Sequence, residues 1–188
     1  MSISPDAMRR TGGIPIKRIV FGQDVIAARV QEMGREITAA YPDGDLLLLG
    51  LLKGSFVFMA DLARCIERPL QVDFMVASSY GKGKTSSGNV RLLYDPATDL
   101  AGKHVLVVED IIDTGRTLQR LLSLLAARQP ASLGVCALLV RDELVIDESD
   151  LTYVGFRIPP QWVVGYGLDA GERYRNLRDG RSSTGAAG

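Results

Sequence analysis

The sequence predicts an α/β fold, a mainly parallel twisted sheet flanked by helices. Three observations carry this. Apolar runs alternate with amphipathic stretches of helical period, the rhythm of right-handed βαβ units. The runs at 46–51, 105–108 and 134–140 are almost continuously apolar, as expected of strands buried on both faces. The chain has 188 residues, one domain's worth by the usual ~150 per domain.

In chain order, Ile26, Val30, Met33 and Ile37 recur at helical spacing, and Asp24 is a candidate N-cap. Tyr41-Pro-Asp-Gly44 reads as a turn before the strand at 46–51. A helix follows over 56–66, with Met59, Leu62, Ala63 and Ile66 inward. A second strand spans 70–77, and 78–89 is a mobile loop rich in Gly, Ser and Lys. A short strand at 90–94 closes a hairpin. The strand at 105–108 leads to a helix over 117–128 with Leu118, Leu121, Leu122 and Leu125 on one face. After the strand at 134–140 come two short strands, 153–156 and 162–164, with Pro159-Pro160 between them. This Pro/Gly-rich end breaks the rhythm and predicts a small subdomain beside the sheet. Residues 1–13 and 180–188 read as disordered ends, and 14–179 as the single domain.

Composition excludes several classes. Lys+Arg and Asp+Glu number 22 each, so the formal charge is zero, without the basic excess of a general nucleic-acid binder. No apolar run reaches membrane-span length, and no signal-peptide core follows Arg9-Arg10, so a cytoplasmic protein is expected. Cys65 and Cys136 lie in apolar stretches and read as reduced core thiols. The one histidine, His104, stands at a strand start and reads as structural. Ser78-x-x-x-x-Gly83-Lys84-Thr85 approaches a P-loop, but the first glycine is missing and no helical pattern follows. Lys82 and Lys84 read as solvated loop charge.

The chemistry concentrates in Val107-Val-Glu-Asp-Ile-Ile-Asp-Thr-Gly-Arg-Thr117. An apolar strand runs into Glu109 and Asp110, Asp113 follows, and Thr-Gly-Arg-Thr opens a helix. Free N–H groups at a helix start suit a phosphate, Gly115 lets the backbone approach it, and Thr114 and Thr117 add hydroxyl donors. Paired acids can accept from sugar hydroxyls or hold hydrated Mg²⁺. A capping turn explains any one of these residues but not the whole string. The string reads as a sugar-phosphate site with a metal.

This segment resembles the phosphoribosyl pyrophosphate (PRPP) signature of the type I phosphoribosyltransferases. The resemblance covers roughly 19–177 and is closest to the branch acting on hypoxanthine and guanine. It implies the type I phosphoribosyltransferase fold with a base-binding subdomain. It implies that Glu109, Asp110, Asp113, Thr114, Gly115, Arg116 and Thr117 hold PRPP, with Asp113 as general base at purine N7. In Leu51-Leu52-Lys53-Gly54-Ser55 it implies a pyrophosphate loop, Lys53, Gly54 and Ser55 being the contacts, with a cis Leu52–Lys53 peptide. Arg175 joins them. Ser79 and Tyr80 belong to a loop that closes over the site. In Trp162-Val-Val-Gly-Tyr-Gly-Leu-Asp169, Trp162 stacks on the purine, Val163 and Leu168 line it, and Asp169 binds it and holds a second Mg²⁺, Glu109 and Asp110 serving the first. Arg141 stands where the family usually has Lys, a donor to the purine 6-oxo group. Arginine donates through a planar fork, so the swap bears on the ranking of hypoxanthine, guanine and xanthine. The implied reaction is PRPP-dependent purine salvage in a homodimer or homotetramer. A xanthine or other base transferase, or a nucleotide- and RNA-binding regulator on the same fold, is the alternative.

Overall fold

The computed structural model describes residues 18–79, 90–144 and 148–182. Its elements are β1 (Ile19–Phe21), α1 (Gln23–Ala40), β2 (Leu46–Leu51), α2 (Phe56–Cys65), β3 (Gln71–Ser79) and β4 (Val90–Tyr94), followed by β5 (His104–Ile112), α3 (Arg116–Ala126), β6 (Ser132–Arg141), β7 (Leu151–Ile158), β8 (Val163–Val164) and β9 (Gly180–Ser182). Residues 1–17, 80–89, 145–147 and 183–188 lie outside the description, and with them the expected N-terminal disorder and most of the expected mobile loop.

Six strands form one sheet in the order β4-β3-β2-β5-β6-β7. Pairing is parallel from β3 through β7, and the edge pair β3–β4 is an antiparallel hairpin. From β2 the chain passes through α2 to β3 on one side. After the hairpin it returns to set β5 on the other side of β2. Strand order therefore reverses between β2 and β5, where an open α/β sheet forms its ligand crevice beyond the carboxyl ends.

The core follows the pleat. Leu46 and Leu48 face the layer of α1 and α2, with Ile26, Val30, Met33, Ile37, Phe58 and Leu62. Leu47, Leu49 and Leu51 face Leu118, Leu121 and Leu125 of α3. Both sheet faces are covered, which is why β2 reads as an unbroken apolar run. Fully burying a leucine contributes about 1.5–3 kcal/mol relative to exposing it. Phe58 is buried too, an inward position that the helical reading omitted.

A second sheet, β1-β9-β8, joins the two ends of the described chain beside the main sheet. Phe21 stacks on Phe156 of β7 with ring centroids 4.4 Å apart, docking the small sheet. Gly180–Ser182 is thus a buried strand rather than the start of a disordered tail. Its composition is polar and small, but its backbone bonds both β1 and β8.

Other boundaries move as well. Gly22, not Asp24, caps α1, its carbonyl accepting from the Ile26 N–H at 3.0 Å, and Asp24 lies in the first turn. α3 begins one residue earlier than expected and ends at Ala126, with Gln129 at φ 56° beyond it. β5 runs on to Ile112, so Glu109 and Asp110 lie inside the strand and not in a loop after it. Neighbouring β6 extends to Arg141 and keeps the ladder going through Glu109, Ile111 and Ile112. Both cysteines are free, and His104 Nδ1 meets Ser132 Oγ at 2.7 Å in a structural contact. Among the described residues, no helix is long and apolar enough to cross a membrane.

Candidate active site

The loop after β2 enters the crevice first. The Leu52–Lys53 peptide is cis, as the resemblance implied. Leu52 donates its N–H to the Met75 carbonyl at 2.9 Å, tying the loop to β3. Gly54 lies against Asp110 of β5: a Cβ there would sit 1.7 Å from Asp110 Oδ2, so a larger residue would displace that carboxylate or the loop. Ser55 is fully buried, and its hydroxyl donates to the Leu51 carbonyl at 2.6 Å. Its side chain holds the turn, and its hydroxyl is turned into the protein. The Lys53 ammonium is exposed.

Glu109 and Asp110 form the floor. Burial, with the Asp110 charge beside it, holds the Glu109 carboxyl well above the usual carboxylate range. Burial pushes Asp110 up to about 6, with backbone N–H groups and Arg175 opposing and Asp169 adding to the rise. Two crowded, poorly solvated carboxyls favour either a proton or a cation. Among the described residues no three metal-ligating side chains converge into a cage. That donor set fits Mg²⁺, which is usually held by one or two carboxylates and completed by substrate phosphates and water.

Beyond the floor, the segment from Glu109 to Leu118 wraps a cavity of about 290 Å³ that includes Asp113, Thr114, Gly115 and Thr117. Gly115 takes φ 79°, a left-handed turn that swings the chain from strand into helix. No side chain caps α3, so its first N–H groups are free to bind an anion. Asp113, Thr114, Arg116 and Thr117 are exposed around this end. A larger cavity of about 510 Å³ lies between α1, α2 and residues 175–178, but it is mainly apolar and includes neither Glu109, Asp110 nor the start of α3.

The purine-side residues meet across β6. Arg141 Nε lies 3.1 Å from Asp113 Oδ1. The pair is not aligned as a hydrogen bond, and the buried Nε has no acceptor among the described residues. The same guanidinium sits over the Trp162 ring, its Cζ 5.9 Å from the centroid. Trp162 is 50% exposed, not a core residue, and it precedes β8 instead of starting it. Val163 and Leu168 are buried in the main core cluster.

In the segment after β8, Arg175 reaches Asp169 Oδ1 at 2.7 Å and donates to the Gly167 carbonyl at 2.8 Å. Two features here were not read from the sequence. Glu172 bridges Lys53 and Arg175 at 3.2 and 3.3 Å, and their hydrogen bonds pull its carboxyl below the usual range. Tyr166 donates its hydroxyl to Asp61 Oδ2 of α2 at 2.7 Å, and burial together with that bond pushes the phenol up. The spacing of Glu172, three residues from both Asp169 and Arg175, was a usable signal for the first. Nothing local signals the second. Ser79 ends β3, while Tyr80, Lys82 and Lys84 lie outside the described residues.

A switch-point crevice thus brings together an acid pair on β5 and the uncapped start of α3. Residues 22–170 match the phosphoribosyl transferase domain model, and the chain belongs to that family. Within it, the chain is 48% identical over 154 residues to the hypoxanthine phosphoribosyltransferase of Salmonella typhimurium, covering 81% of this chain and 86% of the relative. It is likewise 48% identical over 168 residues to the hypoxanthine-guanine phosphoribosyltransferase of Mycobacterium avium, covering 86% and 83%. The solved hypoxanthine-guanine phosphoribosyltransferase of Bacillus anthracis superposes with a TM-score of 0.85 at 39% identity, over 90% of this chain and 99% of that one. The particular branch is thus that of the hypoxanthine(-guanine) phosphoribosyltransferases.

Proposed function

We propose that the chain transfers 5-phosphoribosyl from PRPP to N9 of hypoxanthine or guanine, giving IMP or GMP and pyrophosphate in purine salvage. One observation carries the reading beyond the family. Asp113, an acceptor, and Arg141, a donor, stand 3.1 Å apart beside the exposed Trp162 face. A 6-oxopurine presents N7 and O6 side by side on one edge. A base stacked on Trp162 can therefore give its N7 proton to Asp113 while O6 accepts from Arg141.

The bond that breaks is C1′–O of PRPP, and charge builds as it does: positive on the ribose, negative on pyrophosphate. Lys53, the Gly54 amide and Arg175 receive the leaving group. The N-terminus of α3, with Thr114, Arg116 and Thr117, holds the 5′-phosphate. Glu109 and Asp110 would accept from the ribose hydroxyls or hold Mg²⁺ through water, and Asp169 would hold a second ion. Bound there, Mg²⁺ supplies charge neutralisation for the pyrophosphate. Asp113 draws the N7 proton and makes N9 the better nucleophile. Closure by the Ser79-Tyr80 loop, which excludes water from the ribosyl cation, a cytoplasmic location and a homodimer or homotetramer complete the proposal. Incubation with PRPP, Mg²⁺ and hypoxanthine or guanine should yield the nucleoside monophosphate by mass. No product with any 6-oxopurine would refute the proposal.

A further inference from the structure

Glu172 has no step in the reaction just derived, yet it lies between the two cations assigned to pyrophosphate. One carboxylate oxygen is 3.2 Å from Lys53 Nζ, and the other is 3.3 Å from Arg175 Nη2. These cations come from two segments packed against each other, the loop after β2 and the segment after β8: a Cβ on Gly167 would sit 2.1 Å from the Gly54 carbonyl oxygen.

The backbone beneath Glu172 is unusual. Ala170 and Arg173 exchange backbone hydrogen bonds of 3.2 and 3.3 Å. Between them Gly171 and Glu172 have φ of 60° and 63°. Two successive left-handed residues make a tight hairpin turn that favours Gly, Asn or Asp at both centres. A glutamate in such a slot is an outlier whose reason lies in its surroundings. Packing is not that reason, since the Glu172 side chain is 64% exposed. Asp169 Oδ2 accepts from the Glu172 N–H at 2.8 Å, which aims the turn, and the carboxylate with it, into the cleft.

We infer that Glu172 is a positioning residue for pyrophosphate: an internal counter-anion that spans Lys53 and Arg175 and yields them to phosphate oxygens. The inference rests on the phosphoribosyl-transfer reading. Carboxylate and pyrophosphate compete for the same N–H donors. The resident carboxylate keeps both cations at the spacing of a bridging anion. It also weakens the grip on pyrophosphate, in PRPP and in the product alike, so that product leaves.

The test is calorimetric titration of the full chain with pyrophosphate and Mg²⁺, comparing wild type with Glu172→Gln and Glu172→Asn. Asparagine suits the left-handed backbone and guards against a turn that fails to form. Removing the competitor should tighten pyrophosphate about threefold to tenfold, the scale of two exposed ion pairs. The KM for PRPP should fall in step, the KM for the purine should stay unchanged, and the gain should shrink in high salt. Tighter pyrophosphate binding in either variant, with the purine KM steady, supports the role. Equal or weaker binding in both, or an equal change in the purine KM, overturns it. A wild-type chain that neither binds pyrophosphate nor consumes PRPP would instead refute the phosphoribosyl-transfer reading itself.

Discussion

At the residue scale, the proposed base chemistry turns on Asp113 and Arg141. General-base help is typically worth 10²–10⁴-fold, so Asp113→Asn should lower kcat on about that scale. Near-wild-type turnover, measured by IMP formation, would remove Asp113 from the role. Asp110 gives a pH prediction. Its folded pKa of about 6 lies above the ordinary aspartate value of 3.8, so the folded chain holds this proton more tightly than the unfolded one. The stabilisation is present below about pH 4 and is lost as pH rises through about 6. The shift bounds that loss at about 3 kcal/mol. Asp110→Asn should therefore raise the Tm of the ligand-free protein at pH 7.5 and flatten its pH dependence between 4 and 6. A lower Tm at pH 7.5 would contradict the burial argument. Both acids were legible in the sequence as a pair. Their depth was not, because apolar periodicity marked the end of β5 at Val108 while the ladder with β6 carries it to Ile112.

At the element scale, the loop after β2 and the end of β5 are built against each other. Gly54→Ala would place a methyl carbon where Asp110 Oδ2 stands. Either the Asp110 carboxylate or the loop must shift, so the KM for PRPP should rise sharply, with stability lowered by about 1–3 kcal/mol, an overpacking cost. Chemical denaturation and PRPP kinetics on one sample check both. The Lys53-Gly54-Ser55 loop was legible by resemblance, and its geometry agrees down to the cis peptide. The Tyr166–Asp61 bond was not legible, because it joins residues 105 apart in sequence and neither belongs to a local motif. It ties the turn that carries Leu168 and Asp169 to α2. Tyr166→Phe should cost about 0.5–1.5 kcal/mol by denaturation, the net value of one hydrogen bond.

At the scale of the whole molecule, sheet order places the site. The alternation of apolar runs and helices indicated a parallel sheet, and it is one from β3 to β7. The reversal between β2 and β5 was not legible, since local pattern says nothing about which side of β2 a returning strand takes. Nor was the small sheet. Gly180-Arg181-Ser182 has no strand character by itself, and only partners at β1 and β8, far apart in sequence, make it one. The zero net charge takes a different meaning from this assembly. Acids at Glu109, Asp110 and Asp169 face Lys53, Arg141, Arg175 and a helix start within one crevice, so a highly anionic substrate needs no basic surface. The most direct test of the central claim is kcat/KM for hypoxanthine against adenine, with PRPP and Mg²⁺ saturating. Arg141 offers a donor to O6, whereas the adenine amino group is itself a donor. A site built to bond a polar group rejects an analogue lacking it by about 10⁴-fold or more. Turnover of hypoxanthine with strong rejection of adenine is the predicted result. Equal use of the two bases, or use of neither, would contradict it.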